Sequence, residues 1–450
     1  MTFSALDSPL TGKLFASDAM AAVFSDQARV AAMLRVEAAL ARAQASLGMA
    51  PEALAPAIAA IDPASLDLDR IGRLTADAGV PTIPFVKAVQ SRLPPELERA
   101  FHKGATTQDV MDTALVLQMR EALDLVKADV LAILEGLSRL ADAHRETPCA
   151  GRTYGQHAAP VTFGFKVAVW LTGIAERAAL LPGLRQRLLV ASLGGPVGTL
   201  AGLGERGPEA LEAFAQNLRL GVTPVAWHAL RGRIADAGAW LATLLGALAK
   251  MAADVAHLAS TEVGEAAEPH SPGRGGSSAM PHKRNPVSST IILAAHAAAK
   301  GHAATLIDAM AAGHERPVGL WHAEWHALPS LFGLASGALR EARSLATGLV
   351  VDPERMRRNL DATGGLLFAE AAASRLAADL GREEAHALVE RAAEEVRATG
   401  ENLQAILARV TPHRTAEAFD FGPALRAAAP WIDRALSEAA GVRESLLKEP

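Results

Sequence analysis

The chain has 450 residues, half of them apolar, and 44 basic against 49 acidic side chains leave a net charge of −5. That length supports a large core in two or three domains, and the charge balance excludes a basic field for nucleic acid or anionic lipid spread over the whole surface. The single cysteine, Cys149, has no intramolecular partner for a disulfide, and the start of the chain lacks a signal-peptide pattern, so the expected location is the cytoplasm.

Alanine and leucine dominate while aromatics supply only 4%, a balance that favours helices packed through small side chains over sheets. Up to about residue 105 the chain is cut by Pro51, Pro56, Pro63, Pro81, Pro84, Pro94 and Pro95 into short helices. From Asp109 to about Arg145 apolar residues recur at helical spacing (Val110, Met111, Ala114, Leu115, Leu117) without a proline, which predicts a helix about 54 Å long. Similar patterns run from about Val161 to Leu181, His228 to Glu268, Pro286 to Ala312 and Leu328 to Val350. The expected architecture is all-α: a helical head over 1–105, a central long-helix bundle over 106–350 with a loop at 270–286, and a C-terminal helical domain over 351–450. The most apolar stretch, Ala237 to Ala249, stops at Lys250, short of the ~20 residues of a membrane span, so no membrane association is expected. Helices apolar on more than one face, such as Ala237 to Leu258, predict an oligomer.

Three segments carry chemistry. His102-Lys103-Gly104-Ala105-Thr106-Thr107-Gln108-Asp109 stands just before the first long helix, where free amides and the helix dipole favour an anion. Capping by Thr107 or Asp109 is an equal alternative, and both roles can coexist. Gly151-Arg152-Thr153-Tyr154-Gly155-Gln156-His157-Ala158-Ala159-Pro160 brings a histidine, an amide and a phenol together. Gly273-Arg274-Gly275-Gly276-Ser277-Ser278-Ala279-Met280-Pro281-His282-Lys283-Arg284-Asn285-Pro286 is too rich in glycine for a helix and predicts a mobile loop that brings a reactive side chain to substrate. A plain linker has no use for the cationic Met-Pro-His-Lys-Arg-Asn-Pro run that leads into a helix. Two patterns are set aside. Gly194-Gly195-Pro196-Val197-Gly198-Thr199 lacks the lysine–hydroxyl pair of a phosphate loop and reads as a turn. His322 and His326 are four apart, but no third metal ligand is evident near them.

The loop Gly273–Pro286 resembles the signature of the fumarase/aspartase superfamily, and the two earlier segments resemble that family's other active-site regions in the expected order. The resemblance covers most of the chain. It implies a homotetramer with a shared helical bundle, each active site assembled from three subunits, and a small polycarboxylate substrate handled without metal or cofactor. Ser277 takes the proton-transferring role, with Lys283 and Asn285 on the substrate carboxylate and Lys283 also tuning Ser277. Thr106, Thr107, Gln108, His102, Lys87, Gln156, Tyr154 and Arg316 are the further candidates for substrate contact. His157 either moves a proton or holds a neighbouring group.

Tyr154 departs from the family's Thr-His-x-x-His-x-x-Pro pattern at the histidine that protonates a basic leaving group. Expelling a carboxylate, whose conjugate acid has a pKa near ~4, needs no such acid. Thr82 to Lys87, Gly104 to Ala114, and Glu315-Arg316 followed by Trp321 to Trp325 also resemble the branch that closes a carboxylate onto a conjugated double bond. The implied reaction is 3-carboxy-cis,cis-muconate to 4-carboxymuconolactone. A muconate with another 3-substituent, such as sulfonate, and elimination of fumarate from adenylosuccinate or a related adduct remain the alternatives.

Overall fold

A computed structural model describes residues 3–276 and 279–449. The elements that position the site are α1 (Asp26–Ser46), α2 (Thr82–Gln90), α3 (Thr107–Ala143), the strands β1 (Pro148–Thr153) and β2 (Gln156–Thr162), α4 (Phe163–Ala178), α5 (Gly232–Leu258), β3 (Ala266–Ala267), α6 (Val287–Asp308), α7 (Leu320–Gly348) and β4 (Val350–Val351). The frame is the expected all-α one. Helix α3 runs for 37 residues, with Val116, Leu117, Met119, Leu123, Val130, Ile133 and Leu137 fully buried along it.

Several boundaries differ from the sequence reading for local reasons. The helix expected to reach Glu268 ends at Leu258. The chain then turns through Gly264, which is left-handed at φ 59°, and Ala266–Ala267 pairs with Val350–Val351. Helix α7 begins at Leu320 rather than Leu328 because Pro329 is accommodated inside it. The segment 148–162 forms an antiparallel hairpin with a bulge between Gly151 and Arg152. Its tip needs two residues of positive φ, supplied by Tyr154 at 50° and Gly155 at 77°, the backbone twist that lets two strands meet across a two-residue turn.

The length argument against a membrane span is corrected by α5, which continues through Lys250 as one helix of 27 residues. By length and composition, the helical stretches Phe163–Leu188, Gly232–Leu258 and Val287–Asp308 are long and apolar enough to cross a membrane. On α6 the exposed positions include Ala294, Ala297, Ala298, Gly301 and Ala304, small residues that permit another helix to approach closely.

The chain divides into two compact units. The first comprises Met1–Asp129, Leu180–Gly246 and Ala294–Arg340, and the second Val130–Ala179, Ala247–Leu293 and Glu341–Pro450. In the first, Met33, Phe85, Leu117, Leu241 and Phe332 are among the buried core residues, and Phe24 lies 5.3 Å from Phe332 by ring centroids. In the second, Ile133, Phe163, Trp170, Leu248 and Leu345 are buried. There α3 and α7 approach so closely that a Cβ on Gly136 would lie 2.7 Å from the Ala346 carbonyl oxygen. The C-terminal helices add a separate cluster of Leu376, Val389, Val396, Leu403, Ile406 and Leu407.

Candidate active site

In the first unit the site is built on the start of α3. Asp109, three residues after Thr106, accepts the Thr106 amide at 2.8 Å and so caps the helix, which is the standard way of satisfying an N-terminal orphan donor. Its buried carboxylate also accepts the Gly194 amide at 2.8 Å, the Gly195 amide at 2.9 Å and His228 Nε2 at 2.6 Å. The glycine turn at 194–195 therefore does bind an anion, and that anion is the chain's own Asp109. Glycine is required there: a Cβ on Gly194 would meet the Ala226 Cβ at 2.7 Å, and Gly195 is left-handed at φ 69°.

Because Asp109 does the capping, the threonine hydroxyls are left for other work. Arg316 Nη1 donates to Thr106 Oγ1 and Nη2 to Thr107 Oγ1, both at 2.9 Å, and Nε lies 3.4 Å from Gln108 Oε1. A hydroxyl that accepts from a guanidinium keeps its own proton for donation. Among the described residues the ion pairs include no carboxylate on Arg316, so its charge is fixed in place by neutral oxygens. Two hydroxyl donors and one such guanidinium form a seat for a carboxylate.

The other candidates in this unit fall into different positions. Gln108 is fully buried, and its Nε2 donates to Asp112 Oδ2 at 3.1 Å and to the His228 carbonyl at 2.9 Å. The structure gives Gln108 the task of holding Arg316 and the helix start rather than an open face for a ligand. Lys87 is exposed on α2, whose first residue, Thr82, donates to the Thr107 carbonyl at 3.3 Å. His102 has left-handed backbone, φ 57°, and its Nδ1 lies 2.6 Å from Oε1 of the buried Glu37. Burial lowers the basicity of His102, but the charge and hydrogen bond of Glu37 and the charge of Asp109 together raise its pKa above the ordinary value. A group whose folded pKa is raised contributes stability that is complete below the unfolded value near ~6.5 and lost as pH rises through the folded one. Thermal unfolding followed upward from pH 6 is therefore expected to show a decline in Tm that His102→Gln lacks; identical pH profiles would remove the ion pair from the account.

Beneath the seat lies a buried ionic network. Arg231 donates from Nη1 to Asp112 Oδ2 at 2.7 Å and from Nε to Glu324 Oε1 at 2.8 Å, and Trp321 Nε1 donates to Asp112 Oδ1 at 3.0 Å. All four side chains are buried. Burial pushes the Glu324 carboxyl up, against the opposing effect of Arg231, and Arg231 is held more basic than usual by the two carboxylates despite its burial. His322 and His326 have other neighbours: His322 Nε2 is 3.2 Å from the Gly79 carbonyl, and His326 packs edge-on to His302 at 5.6 Å.

The second unit holds the remaining candidates. His157 pairs across the hairpin with Arg152, whose guanidinium grips Glu265 at 3.0 and 2.5 Å. Glu265 is completely buried and also accepts Asn359 Nδ2 at 2.8 Å. Burial lowers the His157 pKa, and the positive charge of Arg152 lowers it further, outweighing Glu265. Its Nδ1 is buried without a hydrogen-bond partner. That shift favours the neutral imidazole, the form able to accept a proton. Tyr154 projects fully exposed from the hairpin tip, and Gln156 is exposed beside it. A cavity of about 560 Å³ opens against the hairpin, lined by Arg152, Thr153, Lys166, Lys250, Asp254 and His257 among others, a wall with more cationic than anionic side chains.

The loop after residue 270 is anchored at its base. Glu268 accepts the Ser288 and Ser289 amides, each at 2.8 Å, and so caps α6. Arg274 bonds to Glu341 and, at 2.9 Å, to Ser288 Oγ. Gly275 accepts the Asn285 amide at 2.9 Å, and Gly276 bridges antiparallel to Arg284. Lys283 and Asn285 are exposed. Ser277 and Ser278 lie outside the described residues.

Sequence reasoning did not single out Glu37, Asp112, Arg231, Glu265, Glu268 or Glu341. The one readable signal among such partners was the spacing of Asp109 three residues beyond Thr106. The others are partners distant in sequence.

Comparisons with known proteins establish the family of the chain. A lyase family profile matches residues 13–301. The chain therefore belongs to that lyase family, the fumarase/aspartase superfamily whose loop signature it carries. It is 45% identical to a 3-carboxy-cis,cis-muconate cycloisomerase of Pseudomonas aeruginosa, over 94% of this chain and 95% of the relative. It is 44% identical to a nitrosuccinate lyase of Streptomyces davaonensis, over 96% of this chain and 95% of that protein. Among solved structures, the 3-carboxy-cis,cis-muconate lactonizing enzyme of Pseudomonas putida superposes with a TM-score of 0.92 at 42% identity, covering 97% of this chain and all of that one.

Proposed function

We propose that the chain is a cytoplasmic cycloisomerase that converts 3-carboxy-cis,cis-muconate into 4-carboxymuconolactone in protocatechuate breakdown. The near-full-length similarity to enzymes named for this substrate supports the particular reaction. In the geometry, the observation that carries a polycarboxylate substrate is Arg316, held by the hydroxyls of Thr106 and Thr107 without a carboxylate partner among the described residues.

In the forward step a carboxylate oxygen of the substrate bonds to the far carbon of a conjugated double bond. The π electrons move to the carbon beside a second carboxylate, which becomes dianionic and enolate-like. Arg316, Thr106, Thr107 and Lys87, with Lys283 and Asn285 supplied within the shared sites of a homotetramer, stabilise that charge, the preorganised electrostatics that usually contributes most to catalysis. The proton of Ser277 then passes to carbon, and Lys283 with the amides of the loop stabilises the serine oxyanion until solvent reprotonates it. Read in reverse, the leaving group is a carboxylate and needs no acid. That agrees with tyrosine at position 154 and with the lowered basicity of His157.

The same argument, a weakly basic leaving group, admits a second reading as a lyase acting on nitrosuccinate, supported by the 44% identity to the Streptomyces enzyme. An ultraviolet assay of the purified protein separates the two. Loss of diene absorbance with 3-carboxy-cis,cis-muconate, and none of the fumarate signal with nitrosuccinate, is the expected result. Fumarate from nitrosuccinate alone would replace the first reading with the second, and fumarate from adenylosuccinate would show that a residue other than Tyr154 supplies an acid.

The assembly in this proposal is a homotetramer. The small exposed residues on α6, from Ala294 to Ala304, suit burial against helices of other subunits, and a shared bundle leaves those apolar faces out of water.

A further inference from the structure

We propose that the first unit carries a second anion site, distinct from the carboxylate seat of Arg316, in the cavity lined by Arg187, Thr223 and Arg233, and that its ligand is a small oxyanion such as a phosphate or a dicarboxylate. The cavity measures about 540 Å³, and its other walls are Val190, Ala229, Leu230, Arg231, Gly232 and Met310. Three arginines line it and no acidic side chain does.

The three guanidiniums differ in how their charge is met. Arg231 is turned inward onto Asp112 and Glu324. Arg187 is largely exposed and bonds to Asp236. Arg233 has no carboxylate partner among the described residues: its Nη1 donates to the Arg187 carbonyl at 2.9 Å, and its Nε is buried with no partner. Burial lowers the basicity of Arg233, and the neighbouring charges of Arg231 and Arg187 lower it further, against the smaller opposing effects of Asp112 and Asp236. A cation disfavoured in this way gains from an incoming anion.

The guanidinium is also held in position before any ligand arrives. It lies over the Trp227 ring at 5.0 Å, while Arg231 lies 4.9 Å from the same ring. Trp227 is itself fully buried and fixed by donation from Nε1 to the Ala191 carbonyl at 2.9 Å. Stacking of this kind reduces the conformational freedom lost on binding. The planar fork of Arg233 matches two oxygens of a carboxylate or phosphate, and Arg187 stands beside it to share the charge. None of the residues that line this cavity belongs to the Thr106, Thr107 and Arg316 set.

Isothermal titration calorimetry of the whole protein with inorganic phosphate and, separately, with succinate, at constant ionic strength, tests the site. A saturable site that persists in Arg316→Gln, one per chain, is expected for at least one of the two. Its affinity should fall about tenfold or more in Arg233→Gln, the loss of a charge-assisted hydrogen bond, and remain in Arg316→Gln. Arg187→Gln, at a largely exposed side chain, is expected to weaken binding too and serves if Arg233→Gln does not fold. Preference for phosphate or for succinate identifies which oxyanion the cavity takes. No saturable heat with either probe, or binding that survives Arg233→Gln and Arg187→Gln but is lost in Arg316→Gln, would overturn the proposal. Because these readouts do not involve turnover, they stand or fall apart from the muconate reading.

Discussion

Ser277→Ala is expected to lower kcat by about 10²–10⁴-fold, the range that general acid–base groups contribute, while KM changes little. A residue that acts on the proton in the transition state, and binds the ground state weakly, shows this split. The prediction rests on the loop sequence Gly273 to Pro286 and on the family to which the chain belongs. Single-turnover kinetics on 3-carboxy-cis,cis-muconate is the measurement, with Ser278→Ala as the comparison. Near-normal turnover in Ser277→Ala, with a deep loss in Ser278→Ala, would move the proton-transfer role one residue along. Normal turnover in both would remove the loop serines from the chemistry altogether. Lys283→Gln is a useful third variant, since an oxyanion deprived of its cation predicts a loss in kcat in the same direction.

Arg231→Ala is expected to destabilise the protein by about 3–5 kcal/mol, the usual consequence of removing one partner from a buried ion pair. The reason is visible in the packing. Arg231, Asp112 and Glu324 are each no more than 1% exposed, so without the guanidinium two carboxyl groups remain in a region with little water to solvate them. The burial that already pushes Glu324 up would then act unopposed by the guanidinium. Chemical denaturation monitored by circular dichroism gives the value. Replacing Arg231, Asp112 and Glu324 together by apolar residues of similar volume should recover most of the loss, because the network then leaves no unpaired charge. If the triple variant were as unstable as Arg231→Ala, volume rather than charge would be the cause. The network matters to function through Asp112, which also accepts from Gln108 and Trp321, and Gln108 in turn lies against Arg316.

The helical frame was legible from local pattern, because apolar spacing in runs such as Val110 to Leu117 expresses the period of the element that buries them. The place of the loop sequence Gly273 to Pro286 was legible too, because glycine content is a local property of the backbone. Local patterning cannot show which charges meet, however. Asp109 could be read as a cap from its distance to Thr106, but its bonds to Gly194, Gly195 and His228 join residues far apart in the chain. Those long-range bonds hold Asp109 as the cap of α3 and leave the Thr106 and Thr107 hydroxyls to Arg316. The hairpin was not legible as strands, since its residues, including Cys149, Ala150, Ala158, Ala159 and Pro160, lack the alternation and β-branching of a typical strand. It forms because Tyr154 and Gly155 adopt the turn and because Cys149, Ala150 and Thr162 are buried at its base. The same holds for α7, whose Pro329 interrupts the pattern in the sequence but not the helix, because burial of Leu328, Leu331 and Phe332 outweighs the lost hydrogen bond.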